Sequence, residues 1–334
     1  MKVHVVSETS FIMKATGVHT AFVDHVELLK EKDDIEVVVN QEENGDVFHC
    51  HTYGPYYFWK GRKYRGKRVY TVHVVPDSVR GSFPLWKIFL PVTGWYLKKV
   101  HSYADVCIAI SPMVEKIIKE SGADTRIVQI NNPIHIEKWK RTEEKRKKGR
   151  GILGLQENDF IVLGSGQLET RKGVEDFIDV AEAIPEVKFA WVGGRPFGPL
   201  TDGLIRINKR IAKVAAHIKF IGPVDLSQMP FIYAAGDILL FPSWQENCPL
   251  APLEAAASGM PVVYRDIPEY ALLYKHPYLK AATTKEFIDI TKKLIYDQSF
   301  YKEGQKVSEQ LVTQFDKNRI REELIKLYQS LILT

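Results

Sequence analysis

Short apolar runs alternate with amphipathic runs of helical period along most of the chain. KVHVVS, IEVVVN, DVFHCH, KRVYTVHVV, DVCIAI and RIVQI read as strands; VHTAFVDHVELLKEK and SPMVEKIIKESG read as helices. Strands that are near-continuously apolar and separated by helices predict a parallel sheet covered on both faces. Residues 137–151, EKWKRTEEKRKKGRG, interrupt the periodicity with charge and are expected to form a linker. The pattern then restarts. DFIVLGSG, VKFAWVGG, IKFIGPV, DILLFPS and PVVYRD are strand-like, and GVEDFIDVAEAI is helical. Ile320, Leu324, Leu327 and Leu331 recur at helical spacing and predict an amphipathic helix at the end of the sequence. The expectation is an α/β protein of two successive Rossmann-like halves.

Composition narrows this picture only a little. The 334 residues are 45% hydrophobic and 26% charged, the balance of an ordinary globular chain. Cys50, Cys107 and Cys248 include no C-x-x-C pair, which argues against a disulfide framework or a zinc site and fits a reducing compartment. No apolar stretch is long enough to span a bilayer, and MKVHVVSETS lacks the apolar core of a signal peptide. The net charge of +5 matters less than its placement. From Thr52 to Pro76 there is no acidic residue, while Lys60, Arg62, Lys63, Arg65, Lys67 and Arg68 crowd together, so an anionic neighbour is expected there.

The stretch WQENCPLAPLEAAASGMPVV, residues 244–263, places Glu246 and Glu254 eight positions apart around Pro249 and Pro252. Interior prolines oppose one unbroken helix, so a loop through residues 246–250 should lead into a short helix from about Ala251 to Ser258. That loop follows the strand-like DILLFPS, at the strand end where open α/β sheets bind ligands. Free amides at the helix start suit phosphate, and carboxylates suit sugar hydroxyls. A glutamate pair alone would more often be acids favoured at a helix start; the proline-flanked pattern after a strand is more specific. GSGQLETRKG is neither a dinucleotide fingerprint nor a P-loop, since it lacks the third glycine and the GK[ST] ending. It does place Arg171 and Lys172 in a turn after a strand, suited to a diphosphate.

These motifs resemble the Glu-x7-Glu signature of retaining nucleotide-sugar glycosyltransferases with the GT-B fold, and the resemblance runs over essentially the whole chain. It implies two Rossmann-like domains facing each other across a cleft: an acceptor and membrane-facing domain at 1–140 and a donor domain at 141–314. Residues 315–334 would form a helix packing back on the first domain. By that resemblance Glu246 holds hydroxyls of the donor sugar and Glu254 those of the ribose. Leu250 and Ala251 offer backbone amides, and Gly166, Arg171 and Lys172 line the diphosphate. Pro249 stands where many members have glycine, and Gln167 where many have arginine. Gly17 opens a helix facing the ligands, and His73 resembles the histidine beside the transferred sugar. His49 and His51 alternate on one strand and point the same way, and neither is assigned a ligand. No Asp-x-Asp motif occurs, so the reaction is expected to need no metal and no cofactor. The resemblance also implies front-side attack with the leaving phosphate taking the acceptor proton. A catalytically silent partner subunit would have lost Glu246, Arg171 or Lys172, and all three are present. A nicotinamide oxidoreductase fails on the glycine fingerprint.

For the acceptor, the basic cluster Lys60, Arg62, Lys63 and Arg65 follows the aromatic run YGPYYFW, and GSFPLWKIFLPVTGWYLKK adds Trp86, Phe89, Trp95 and Tyr96. Mixed aromatic and basic residues suit an interfacial segment, each cation contributing about 1 kcal/mol near an anionic leaflet. The plain alternative is a basic surface beside a buried helix. TRKGVEDFIDVA, FAWVGGRPFGPLTDG and FPSWQENCPLAPLEA are similar to bacterial enzymes that add a hexose to α-glucosyl-diacylglycerol. The resemblance thus implies a membrane glycolipid acceptor, a UDP-glucose or UDP-galactose donor, no nucleic acid, and a peripheral position on the inner face of the cell membrane. A polysaccharide, teichoic acid or soluble sugar acceptor is the alternative.

Overall fold

The computed structural model describes residues 1–12, 17–41, 43–52, 54–76, 86–194 and 203–333. Their strands form two six-stranded sheets in which every pairing is parallel. The first holds β1 (Lys2–Val6), β2 (Glu36–Val39), β3 (Val47–Cys50), β4 (Lys67–Val72), β5 (Val106–Ala109) and β6 (Arg126–Gln129), in the order β2-β1-β3-β4-β5-β6. The second holds β7 (Ile161–Ser165), β8 (Lys188–Val192), β9 (Ile218–Gly222), β10 (Ile238–Phe241), β11 (Val262–Arg265) and β12 (Leu279–Ala281), in the order β12-β11-β10-β7-β8-β9. Strand order reverses between β1 and β3 in one sheet and between β7 and β10 in the other. The crevice at such a switch point, outside the strands' carboxyl ends, is where open α/β sheets take ligands.

Each sheet has its own core. In the first, Val3, Val5, Val47, Val69, Val106 and Ile108 from the strands are buried together with Phe22, Leu28 and Leu29 of the helix Gly17–Lys30. The helix Lys317–Ile332 buries Ile320, Leu324, Leu327, Tyr328 and Leu331 in that same cluster, the stripe its spacing predicts. Its start is capped by Asp316, whose Oδ1 accepts from the Asn318 amide at 2.9 Å. In the second core Phe177, Phe189 and Trp191 meet edge to face around Val162, Leu240 and Val263.

The expected linker is not one. Most of residues 137–151 fall in the helices Ile136–Trp139 and Glu143–Leu153, the latter capped by Thr142 and closed by Gly154 at φ +62°. Its charge hides a packed face. A side chain at Gly149 would stand 1.8 Å from the Phe231 carbonyl oxygen, so this glycine lets the helix lie against the helix Met229–Ala235. Arg146 and Arg150 pair with Asp237 at 2.8 and 3.3 Å, and Arg150 also donates to the Gln156 carbonyl at 2.7 Å. Cations that satisfy a neighbour's carboxylate and carbonyls carry no hydrophobic period, which is why the sequence pattern missed them. The chain divides at Pro133/Ile134 and again at Gln314/Phe315, so the first compact unit contains the described residues up to 133 and the final helix, and the second holds 134 to 314.

Candidate active site

The switch point of the second sheet is built by two loops, one after β7 and one after β10. Beyond β7 the backbone turns at Gly166, at φ +146°, and Gly166 also receives the Trp191 indole N–H on its carbonyl at 2.9 Å. The short helical turn Thr170–Lys172 follows and ends at Gly173, at φ +69°. A Cβ on Gly173 would lie 2.2 Å from the Pro242 carbonyl oxygen, so only glycine lets this turn touch the end of β10. The contact is then closed by the Trp244 amide donating to the Arg171 carbonyl at 2.8 Å.

This docking brings together side chains far apart in sequence. Lys172 Nζ donates to Glu246 Oε1, and the Ser243 hydroxyl donates to the same oxygen at 2.7 Å. Both members of the pair are nearly enclosed. Burial opposes the charge on Glu246, yet Lys172 and Arg171 hold its carboxyl below the usual range; burial also pulls the Lys172 ammonium below its ordinary value, against the attraction of Glu246. Arg171 Nε lies 2.8 Å from Oε2 of Glu169, a fully buried carboxylate with no hydrogen-bond partner on either oxygen among the described residues. Burial raises the pKa of Glu169, with Arg171 and Lys172 opposing. Each cation of the turn is therefore already matched by a carboxylate.

The helix after the β10 loop spans Leu250–Ala257 with Pro249 as its N-cap, one residue earlier than expected. An α-helix leaves its first four backbone N–H positions without intrahelical acceptors. Here two of those four positions are Pro249 and Pro252, which have no N–H, so the remaining donors are the amides of Leu250 and Ala251. Glu254 is buried one turn on, beside Tyr233, whose hydroxyl lies 3.1 Å from Ser165 Oγ at the end of β7. Burial and then the Glu254 charge push the Tyr233 hydroxyl well above its usual pKa.

The structure thus gathers Gly166, Arg171, Lys172, Glu246, Leu250, Ala251 and Glu254 around one switch point of one unit. Gly17 and His73 belong to the other unit, where Gly17 begins its helix and His73 follows β4, buried. Ser165, Glu169, Tyr233 and Ser243 escaped the sequence reading, as did the brace beneath the loop. That brace is Arg265 at the end of β11. Its Nε donates to the Pro242 carbonyl at 2.9 Å, its NH2 lies 3.0 Å from Asp176, and its guanidinium sits 3.5 Å from the centre of the Trp244 ring. An arginine closing an otherwise apolar strand was the available signal.

On the first unit, Arg62, Lys63 and Arg65 are exposed and Lys60 is half-buried. Arg68 is not available to a partner, because it grips Asp105 through two hydrogen bonds at 2.8 and 3.1 Å. The side chains of Trp86 and Phe89 lie outside the described residues, although both residues belong to the helix Trp86–Ser102. Trp59 and Trp95 are 59% and 63% exposed, and Lys60 and Arg62 lie over the rings of Tyr56 and Trp59 at 4.5 and 5.0 Å. Pro55, Tyr56, Trp59, Lys60 and Lys63 line a shallow depression of about 510 Å³.

Solved structures share this fold over nearly the full chain. Anabaena HepE in complex with UDP-glucose superimposes with a TM-score of 0.78 at 20% identity, covering 99% of this chain and all of that one. Sucrose-phosphate synthase from Thermosynechococcus elongatus gives 0.79 at 15% identity, with 100% and 99% coverage. The fold is that of the GT-B glycosyltransferases. Residues 159–297 match the family described as "Glycosyl transferases group 1", and residues 38–138 match "Glycosyltransferase Family 4". Among characterised sequences, the alpha-galactosylglucosyldiacylglycerol synthase of Streptococcus pneumoniae is 32% identical over 276 residues, 81% of this chain and 74% of that one. The processive diacylglycerol alpha-glucosyltransferase of Acholeplasma laidlawii is 28% identical over 302 residues, 89% of each. The chain belongs to the family 4, group 1 glycosyltransferases.

Proposed function

We propose that the protein transfers a hexose from UDP-glucose, or UDP-galactose, to a sugar hydroxyl of a glycosyl-diacylglycerol, with retention of the α configuration and without a metal. The observation that carries this reading is the Lys172–Glu246 pair beside the two donors at the helix start. An ammonium has three N–H donors, so Lys172 keeps Glu246 and still binds a diphosphate oxygen. Arg171 and the Leu250 and Ala251 amides add positive potential there. These groups stabilise the negative charge that grows on the departing diphosphate, the largest contribution a protein makes to such a step. Glu246 has its cation and its serine gathered on Oε1, leaving Oε2 to accept from hexose hydroxyls. Held this way it orients the sugar rather than attacking it, and the leaving phosphate takes the acceptor proton.

The names of the two relatives support a glycolipid acceptor, and the nucleotide sugar held by HepE supports the donor. The exposed aromatic and basic side chains from Tyr56 to Arg65, with Trp95, fit docking of the first unit on an anionic leaflet at the inner face of the membrane. The test is a turnover panel: UDP-glucose and UDP-galactose, each against glucosyl-diacylglycerol in anionic vesicles and against soluble glucosides. A diglycosyl lipid with an α linkage is expected. Transfer to soluble glucosides with none to the lipid would overturn the acceptor assignment, and no transfer from either donor would overturn the donor assignment.

A further inference from the structure

Glu169 immediately precedes the turn Thr170–Lys172 and is fully buried. Neither of its carboxylate oxygens has a hydrogen-bond partner among the described residues. Arg171 Nε stands 2.8 Å from Oε2, but it too is buried without a hydrogen bond, so the contact is charge against charge with no N–H aligned on the oxygen. The charged groups that face Glu169 are Arg171 and Lys172 of its own turn and Glu246 from the loop after β10. Glu246 is the better-served carboxylate, because Lys172 and the Ser243 hydroxyl both donate to its Oε1. A buried carboxylate without hydrogen bonds is costly and rare in a native fold, and it keeps its charge only through neighbouring cations.

Arg171 and Lys172 are balanced by Glu169 and Glu246, so this cluster is neutral before a donor arrives. The diphosphate of a nucleotide sugar brings two further negative charges to the same cations. An enclosed site with that excess relieves it by protonating its least stabilised anion. The diphosphate of a nucleotide sugar does not titrate near neutrality, and the charged form of Glu246 has hydrogen bonds. Glu169 has none. Resting on the reading that this switch point binds a nucleotide sugar, we infer that Glu169 is a proton-linked residue of the donor site. Its carboxylate balances Arg171 until the donor binds, and it takes up one proton from solvent when the diphosphate claims that guanidinium. The proton forms an O–H bond on the carboxylate, which leaves a neutral glutamic acid and frees both cations for the phosphates. Burial already pushes the Glu169 carboxyl up against the pull of Arg171 and Lys172, and a diphosphate on those cations pushes it further. Between the free and the bound values, binding consumes a proton, so donor affinity falls as pH rises, by up to about tenfold per unit.

UDP-glucose has no group that titrates near pH 7, so any proton exchanged on binding belongs to the protein. Calorimetric titration of the full chain with UDP-glucose, at pH 7 in two buffers of different ionisation enthalpy, measures that exchange. The wild type should show a buffer-dependent heat corresponding to net proton uptake, and its Kd should weaken from pH 6 to pH 8. Glu169→Gln keeps the shape of the side chain without its charge. In that variant the buffer dependence should vanish, the Kd should be flat over the same range, and binding at pH 8 should be tighter than in wild type. A merely structural role for Glu169 predicts weaker binding at every pH. Wild-type heats that do not depend on the buffer overturn the inference. Uptake of the same size in Glu169→Gln overturns it too, because the proton then sits elsewhere, as does weaker binding than wild type in that variant at pH 8. Failure of the wild type to bind UDP-glucose overturns the donor reading and the proton linkage with it, whereas binding without proton uptake overturns the linkage alone.

Discussion

Replacing Lys172 with Met separates the stability of the donor site from its chemistry. The ammonium and the Glu246 carboxylate are both nearly enclosed, and Ser243 is the other group bonded to the same carboxylate oxygen. Removing one partner of a buried pair leaves an uncompensated charge and costs about 3–5 kcal/mol. At about 2–4 °C per kcal/mol for a domain of this size, Lys172→Met should melt ~6–20 °C below wild type. Adding Glu246→Gln removes the orphaned charge, so the double variant should regain most of that loss. Its activity should not return: the diphosphate loses its ammonium, and turnover should stay at least tenfold down, equivalent to about 1.4 kcal/mol. Differential scanning fluorimetry and donor turnover on wild type, both single variants and the double variant complete the cycle. A Lys172→Met protein melting within about 1 °C of wild type would refute the buried-pair argument. A double variant that recovered turnover together with its melting temperature would remove Lys172 from the mechanism.

Acid should unfold the first unit. Burial holds His49 and His51 well below their ordinary value, His73 at about 3 and His101 at about 4, so the unfolded chain binds protons that the folded one refuses. The sign follows: stability is complete above about pH 6.5 and falls with pH by about 1.4 kcal/mol per unit for each histidine. Urea melts between pH 7 and 5 that show no loss would contradict this. Gly173→Ala places a side chain at φ +69° against the Pro242 carbonyl and should cut turnover severely while the first unit's circular dichroism and aromatic signals persist; wild-type kinetics would disprove the docked turn. Transfer should continue in chelator, and activity that vanishes with chelation and returns with a divalent ion would contradict the metal-free proposal. Neutralising Lys60, Arg62, Lys63 and Arg65 together should release the protein from anionic vesicles at lower salt, and Trp59→Ala should reduce the salt-resistant fraction; equal flotation of all variants would exclude this surface from docking.

Both sheets were legible in the sequence because parallel strands buried on two faces are continuous apolar runs, and the final helix was legible through its stripe from Ile320 to Leu331. The helix Glu143–Leu153 was not, because its packed face consists of Gly149, arginines and a single leucine rather than a hydrophobic period. Within the donor site, local rules sufficed where the signal was local: two prolines and a following glycine bracket a helix. The pairing of Lys172 with Glu246 joins residues 74 positions apart and depends on Gly173 letting two loops touch. Arg171 could be read as a cation, but its fully buried counter-charge, Glu169, looks in sequence like any turn glutamate.

A structure of the protein with UDP-glucose decides whether this switch point holds the donor. The diphosphate should lie within hydrogen-bond distance of Lys172 Nζ and of the Leu250 and Ala251 amides, with Glu246 on the hexose hydroxyls and Glu254 on the ribose. A nucleotide sugar bound elsewhere, or bound at this switch point with Lys172 and Glu246 still locked together and touching none of its atoms, would contradict it.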